Sequence, residues 1–240
     1  MLVLVPALVV YPGHGPSFRV FAWGGAGGLA GSFGLLLLYT ALSSGNMSVV
    51  SPVSGVTAAV IPVVVGTVLL GERPDVLAMI GIACALAAIV LVTLHPGGAG
   101  GTGYARSVLT AVGAGSGFGL FFVCLQRAGS PREVGLWAAL AARPVSIAVA
   151  VAIARLRHAP LVPQRPERRL IALGGVLDQG ANVLYILSIG RGLLAVLAVL
   201  ASLYPVSTIV LARVIDHETL AAHQLTGLGL AFAALVLIAV

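Results

Sequence analysis

Residues 69–92 read LLGERPDVLAMIGIACALAAIVLV: the end of an apolar stretch, a Gly-Glu-Arg turn, then an apolar run long enough to be a helix of five turns. Much of this pattern occurs twice. Shifting the chain by 146 residues lays Glu72 on Glu218, Gly81 on Gly227 and residues 87–91 (AAIVL) on 233–237 (AALVL). The same register, without a gap, lays Gly28 on Gly174, Gly34 on Gly180, Tyr39 on Tyr185 and Val64 on Val210. Chance in an apolar chain gives matches of Ala, Val and Leu, but hardly a Tyr, a Glu and three Gly in one register. A repeat of this period means two structurally similar halves.

The chain around that repeat is built for a bilayer. Of 240 residues, 59% are hydrophobic and 8% charged, whereas a soluble globular domain is roughly a quarter charged. Apolar runs of about 20 residues recur along the whole length, enough at 1.5 Å per residue to cross the hydrocarbon core. They are continuous, which argues against the alternating segments of a membrane β-barrel. The basic residues are 13 arginines against 7 acids, a net +6. Most arginines flank apolar runs, where positive charge sets topology and meets lipid headgroups, so membrane lipids rather than nucleic acid are the expected partner. Cys84 and Cys124 lie in apolar segments with no pairing or metal spacing and read as small hydrophobes. His217, Glu218 and His223 lack the four-residue spacing that would place two histidines on one helix face, and no metal or other cofactor is expected.

Apolar periodicity and turn residues predict helices over 20–42, 47–70, 76–94, 106–125, 133–154, 170–190, 192–213 and 219–240, after a short apolar start at 1–11. Two connections are long: HPGGAGGTGYAR at 95–106, Gly-rich and central, and RLRHAPLVPQRPERR at 155–169, basic and Pro-rich. The glycine pairs Gly24/Gly28, Gly27/Gly31, Gly113/Gly117 and Gly115/Gly119 have the small-xxx-small spacing that lets helices approach closely. Gly98, Gly100 and Gly103 formally fit a dinucleotide fingerprint, but they follow no strand and open no βαβ unit.

The LLGERPDVLAMIGIACALAAIVLV segment resembles the end of an EamA-type repeat of the drug/metabolite transporter superfamily. The second copy, ASLYPVSTIVLARVIDHETLAAHQLTGLGLAFAALVLIAV at 201–240, resembles the second repeat of bacterial members in its SLYP and LAR segments, and departs from it at Asp216-His217, where Leu-Gly is usual. The resemblance implies an all-α polytopic fold of two inverted repeats of five helices, and an odd number of spans per repeat does invert the second copy. It divides this chain into a first, N-terminally truncated repeat at 1–94, a Gly-rich linker at 95–105 and a second repeat at 106–240. Only eight full spans and a partial one are counted. By the repeat offset, the counterpart of Arg106 would lie about 40 residues upstream of Met1, so the first helix and part of the second are expected to be missing. Orientation is contested: Arg19, Arg73, Arg127, Arg132 and Arg191 flank one side, and Arg106, Arg155, Arg157, Arg165, Arg168, Arg169 and Arg213 the other. The positive-inside rule favours the second side as cytoplasmic; the family topology implies the first, and is followed.

Six of the seven acids lie in loops or at span ends, and Asp178 alone lies well inside a span, as Arg143 does among the arginines. An ionisable side chain in the bilayer core costs at least about 2.5–3.5 kcal/mol and therefore faces a cavity or a partner. Asp178, Asn182 and Tyr185 recur at i, i+4 and i+7, one helix face. Arg143, at a depth within about one helical turn of Asp178, is the candidate partner. Two readings stand side by side: a polar stripe lining a substrate cavity, or an ion pair that fastens two helices and binds nothing. Further candidates come from the matched spans SVVSPVSGVTAAVIPVVVG and ASLYPVSTIVLA, where Pro52, Pro62 and Pro205 free backbone carbonyls. There Ser51, Ser54, Thr57, Tyr204, Ser207 and Thr208 are available to hydrogen-bond a substrate, although a lone Ser or Thr often bonds only the carbonyl one turn back. Tyr39 and Tyr185 are either cavity residues or packing between the halves.

The function the resemblance implies is a secondary transporter, an exporter by preference, moving a small metabolite across the inner (plasma) membrane of a bacterium by alternating access. A proton is a second candidate cargo at Asp178, and a monomer or homodimer the expected state. Two alternatives are an integral-membrane enzyme using Asp178 and Arg143 on a lipid-linked substrate, and a truncated carrier without activity. The enzyme reading lacks a nucleophile or an intramembrane histidine and leaves the repeat unexplained.

Overall fold

The computed structural model describes residues 17–43, 47–93, 104–129, 136–158, 160, 168–189, 193–203, 206 and 221–239. They form eight α-helices: α1 Phe18–Leu42, α2 Met47–Val64, α3 Val76–Thr93, α4 Tyr104–Ala128, α5 Trp137–Leu156, α6 Arg168–Ser188, α7 Leu194–Ala201 and α8 Ala222–Ala239. Val65–Leu69 continue α2 as a π-helical turn. Among the described residues the fold is all-helical, as expected. By length and composition the segments Phe18–Leu42, Ala105–Ala128, Trp137–Leu156 and Arg168–Ser188 can each cross a membrane, and Val53–Leu69 and Val76–Leu91 are shorter apolar helices. The apolar start at 1–11, residues 95–103 of the Gly-rich joint and most of the expected span beyond Leu203 lie outside the described residues.

Two compact units divide the chain, one of Met1–Ser32 with Phe121–Gly192 and one of Phe33–Leu120 with Leu193–Val240. The division falls inside α1 and α4, so each unit draws on both halves of the sequence.

In the first unit, α1 presents two glycine faces. A Cβ on Gly24 would lie 2.6 Å from the Ala138 carbonyl oxygen and 2.8 Å from the Ala141 Cβ, and one on Gly28 would run into the Ala142 backbone. Gly27 and Gly31 turn to α4, where a Cβ would come within 3.2 Å of Cys124 and of Phe121 respectively. Apolar burial gives little net drive between helices in lipid, so close backbone approach and the dispersion contacts it permits hold them together. Polar groups finish the contact: Ser146 Oγ donates to the Gly28 carbonyl at 3.2 Å and Ser32 Oγ to the same oxygen at 2.7 Å. At the far end, Arg19 Nε donates to the Arg127 carbonyl at 3.2 Å, placing a cation on the C-terminal end of α4. Gly28→Ala is therefore expected to destabilise by about 1–3 kcal/mol, the usual range for overpacking. Gly25→Ala, whose Cβ meets only Val145 at 3.6 Å, is expected to be neutral or stabilising; thermal unfolding of the two purified variants makes the comparison.

The second unit shows the repeat in three dimensions. Its largest helix contact is α3 on α8, which are Val76–Thr93 and Ala222–Ala239, displaced by the 146-residue offset at both ends. Ala85 and Ala88 are buried in one, and Ala231 and Ala234, their repeat equivalents, in the other. Ile82 and Ile89 of α3, Ala59 of α2, and Ala195 and Val199 of α7 complete that core, with Cys84 packed at its edge as a small hydrophobe. In the same unit Gly115 of α4 lies against the backbone of Ser54 and the side chain of Thr57, and Gly119 against Ile61.

The helix starts are capped from the sequence outward. Asp75 Oδ1 accepts the Ala78 N–H at 2.7 Å, an N-cap for α3. The repeat equivalent of Asp75 is Ala221, which has no side-chain acceptor, and there Gln224 Oε1 reaches back to the Ala221 N–H at 2.9 Å. α7 has no cap of its own, since Leu193 offers no side-chain acceptor. Its first turn is capped by Glu72, whose Oε1 accepts from the Leu194 N–H at 2.8 Å and whose Oε2 accepts from the Ala195 N–H at 3.1 Å. The turn quoted at the outset aims that carboxylate. Leu70 N–H bonds Val65 O at 3.0 Å and closes the π-turn. Gly71 then takes φ +68°, a left-handed conformation that favours glycine, and the Glu72 N–H ties back to Gly66 O at 2.9 Å. A Cβ on Gly66 would meet the Glu72 carboxylate, so a side chain there would push that carboxylate from its place.

Candidate functional site

An ion pair joins the two ionisable groups that the sequence places inside spans. Arg143 Nη2 lies 3.3 Å from Asp178 Oδ2, tying α5 to α6 in the first unit. The two ends differ in access: the Arg143 side chain is 25% exposed and that of Asp178 63%. Arg143 sits one residue past Ala142, the residue pressed against Gly28, so close packing of α1 on α5 fixes its height. Pro144 follows it inside α5, which removes the amide that would bond the Leu140 carbonyl one turn back.

Along α6 the polar stripe changes character from one turn to the next. Asp178 is open. Asn182 Nδ2 donates to the Asp178 backbone carbonyl at 2.9 Å, spending one side of its amide on its own helix. Tyr185 is buried, 8% exposed, with its ring 4.7 Å from that of Phe122 on α4. Gln179, beside Asp178 in sequence, is 4% exposed and shares the packed face of α6 with Val183 and Ile186. The other candidates lie in the second unit or outside the described residues. Ser54 of α2 is fully buried. Thr57 Oγ1 bonds the Val53 carbonyl one turn back at 2.7 Å. Tyr39, the repeat equivalent of Tyr185, is 63% exposed on α1. Tyr204 and Thr208 lie outside the described residues, as do Pro205 and Ser207.

The arrangement is an arginine and a carboxylate within a helix pair, with amides, a hydroxyl and aromatic surface on the same helix. It can hold charge and donate or accept hydrogen bonds. The profile of the EamA-like transporter family matches residues 1–94 and 105–240. This chain belongs to that family. Membership and the apolar helices together make the chain a multi-pass membrane protein of a transporter family, and a family of that kind implies a small-molecule substrate and lipid around those helices. A chain of known crystal structure matches it with a TM-score of 0.65 at 18% identity, over 98% of this chain and 93% of that one, which supports the fold. No curated protein matches this chain significantly.

Two residues escape a sequence reading. Glu72 stands out there only as one of the repeat-matched residues at a span end, and its role needs the three-dimensional approach of α7. Gln179 lies off the face that Asp178, Asn182 and Tyr185 share, so helical periodicity passes over it.

Proposed function

We propose that this EamA-like protein is a secondary transporter that exports a small zwitterionic metabolite by alternating access across the inner membrane of a bacterium. The observation that carries the reading is the Arg143–Asp178 pair, set within helices long enough to span the bilayer. Asp178 is open on its own unit although it sits mid-helix, and a carboxylate at that depth needs water or a polar partner rather than lipid. A cation and an anion side by side offer a zwitterion one counter-charge for each of its ends. Two repeats of opposite orientation, 1–94 and 106–240, joined by the linker 95–105, supply the symmetry from which two access states arise. In that frame Asn182 and Tyr185, on the same helix, are further binding candidates, and Asp178 is also the group able to carry a proton.

Reconstitution into vesicles tests it, with labelled neutral L-amino acids and the amines that lack only their carboxylate. The expected result is saturable, counterflow-competent movement of at least one zwitterion, faster than that of the matching amine. Equal indifference to all zwitterions removes the assignment of substrate class.

A further inference from the structure

We propose that Gln179 is a specificity-determining residue of the transport site: its side-chain amide donates, together with the Arg143 guanidinium, to an acceptor oxygen of the cargo beside the Asp178 carboxylate. The proposal rests on the carrier reading above and adds a residue to it.

Several polar groups on α5 and α6 are already used within the protein. Ser188 Oγ and Asn182 Nδ2 donate to carbonyls one turn back on α6, at 2.9 Å each. Gln179 differs. Its side chain is 4% exposed, and its Nε2 is sealed with no hydrogen-bond partner among the described residues. Arg143 Nε is in the same condition, and among the described residues its guanidinium bonds to Asp178, at 3.3 Å. That distance is long for a charge-assisted bond, which usually falls near 2.7–2.9 Å. Two buried donors thus stand on the two residues that adjoin or pair with Asp178. Buried donors left without acceptors are uncommon in folded proteins, and each calls for an explanation. In a carrier the simplest explanation is that the acceptor is the cargo, bound for part of the cycle. A carboxylate oxygen fits two N–H donors, and Asp178 remains to meet the cationic end.

The same donor makes the idea testable, because structural and ligand roles predict opposite outcomes for one substitution. Gln179→Leu keeps the volume and removes the amide. If that amide has no partner within the protein, the substitution raises Tm by a few degrees, since a buried unsatisfied group is removed. If the amide also serves the cargo, the KM for the zwitterionic amino acids rises about tenfold or more, while the KM for the matching amines stays unchanged. Both changes together are the expected result, measured on the full chain by thermal unfolding and vesicle transport, with Gln179→Asn retaining part of the selectivity.

A raised Tm with unaltered KM values overturns the proposal. So does a lowered Tm for Gln179→Leu; a double variant with Gln126→Leu that loses no more than either single would then place the partner of the amide at Gln126, whose Oε1 is a sealed acceptor in the same unit. A wild-type protein that moves no zwitterion removes the substrate reading and this proposal with it. A wild type that moves them equally well as Gln179→Leu removes the role of Gln179 alone.

Discussion

Replacing Glu72 with alanine is expected to cost this transporter about 3–5 kcal/mol of stability. The figure follows from the two bonds that Glu72 makes. Each is a backbone N–H donating to a carboxylate, at 2.8 Å to Leu194 and 3.1 Å to Ala195, and hydrogen bonds to charged groups contribute roughly 1.5–3 kcal/mol apiece. Their removal leaves the first turn of α7 without a cap, because Leu193 provides none. It also removes a negative charge from the positive end of the helix dipole. Neighbouring helices enclose that turn: Leu194, Ala195, Ala198 and Val199 are all buried, so water cannot replace the lost acceptor cheaply. Glu72→Gln is expected to fall between, about 1–2 kcal/mol, since its one carbonyl oxygen still accepts but carries no charge. Thermal unfolding of the two variants beside wild type gives the comparison. Equal Tm for Glu72→Ala and wild type would remove the cap from the account of this fold.

Glu72 also shows how far the chain could be read without coordinates. Helices, their order and the twofold repeat are matters of composition and period, which the sequence carries openly. The glycine pairs Gly24/Gly28 and Gly27/Gly31 told of close approach, and the partners proved to be α5 for one face and α4 for the other. What periodicity cannot convey is a contact between residues 72 and 194, because nothing local encodes which distant helix will start beside the Gly-Glu-Arg turn. The turn chemistry was legible, in Gly71 above all, but its target was not.

The site divides in the same way. Charge alone singled out Asp178 and Arg143, since an ionisable group inside a span is costly enough to be noticed, and helical rise placed them at matching depth. Their pairing at 3.3 Å follows from those two facts. The finer assignments depended on which way each side chain turns. Tyr39 and Tyr185 are equivalent by the repeat yet differ in burial, one on an exposed face and one packed at a tilt against Phe122. Internal repetition copies the helix and not its neighbours. Hydroxyls were the least legible, because Thr57 satisfies itself on Val53 and the sequence is silent on that choice.

Exchanging the two charges, Arg143→Asp with Asp178→Arg, is expected to restore folding and leave transport abolished. Each single reversal places like charges together within a span, where an unpaired ion costs at least about 2.5–3.5 kcal/mol, and both singles are expected to be poorly produced. The double exchange rebuilds an attractive pair between α5 and α6, so its yield and Tm should return most of the way to wild type. Transport should not follow, because a zwitterion held by Arg143 at one end and Asp178 at the other would meet each counter-charge on the wrong helix. Neutralisation gives the same separation more gently. Asp178→Asn keeps a polar side chain beside Arg143 and should lower stability less than either reversal, although the arginine is left without its counter-ion. Its transport rate should nevertheless fall at least about a hundredfold, the loss expected when a charge that binds cargo is removed. A variant that loses stability and activity in proportion, or an exchanged pair that recovers both, would make Arg143–Asp178 a fastener between two helices. A large loss of activity at near-constant stability, with no rescue by the exchange, identifies the polarity of the pair as what the cargo reads.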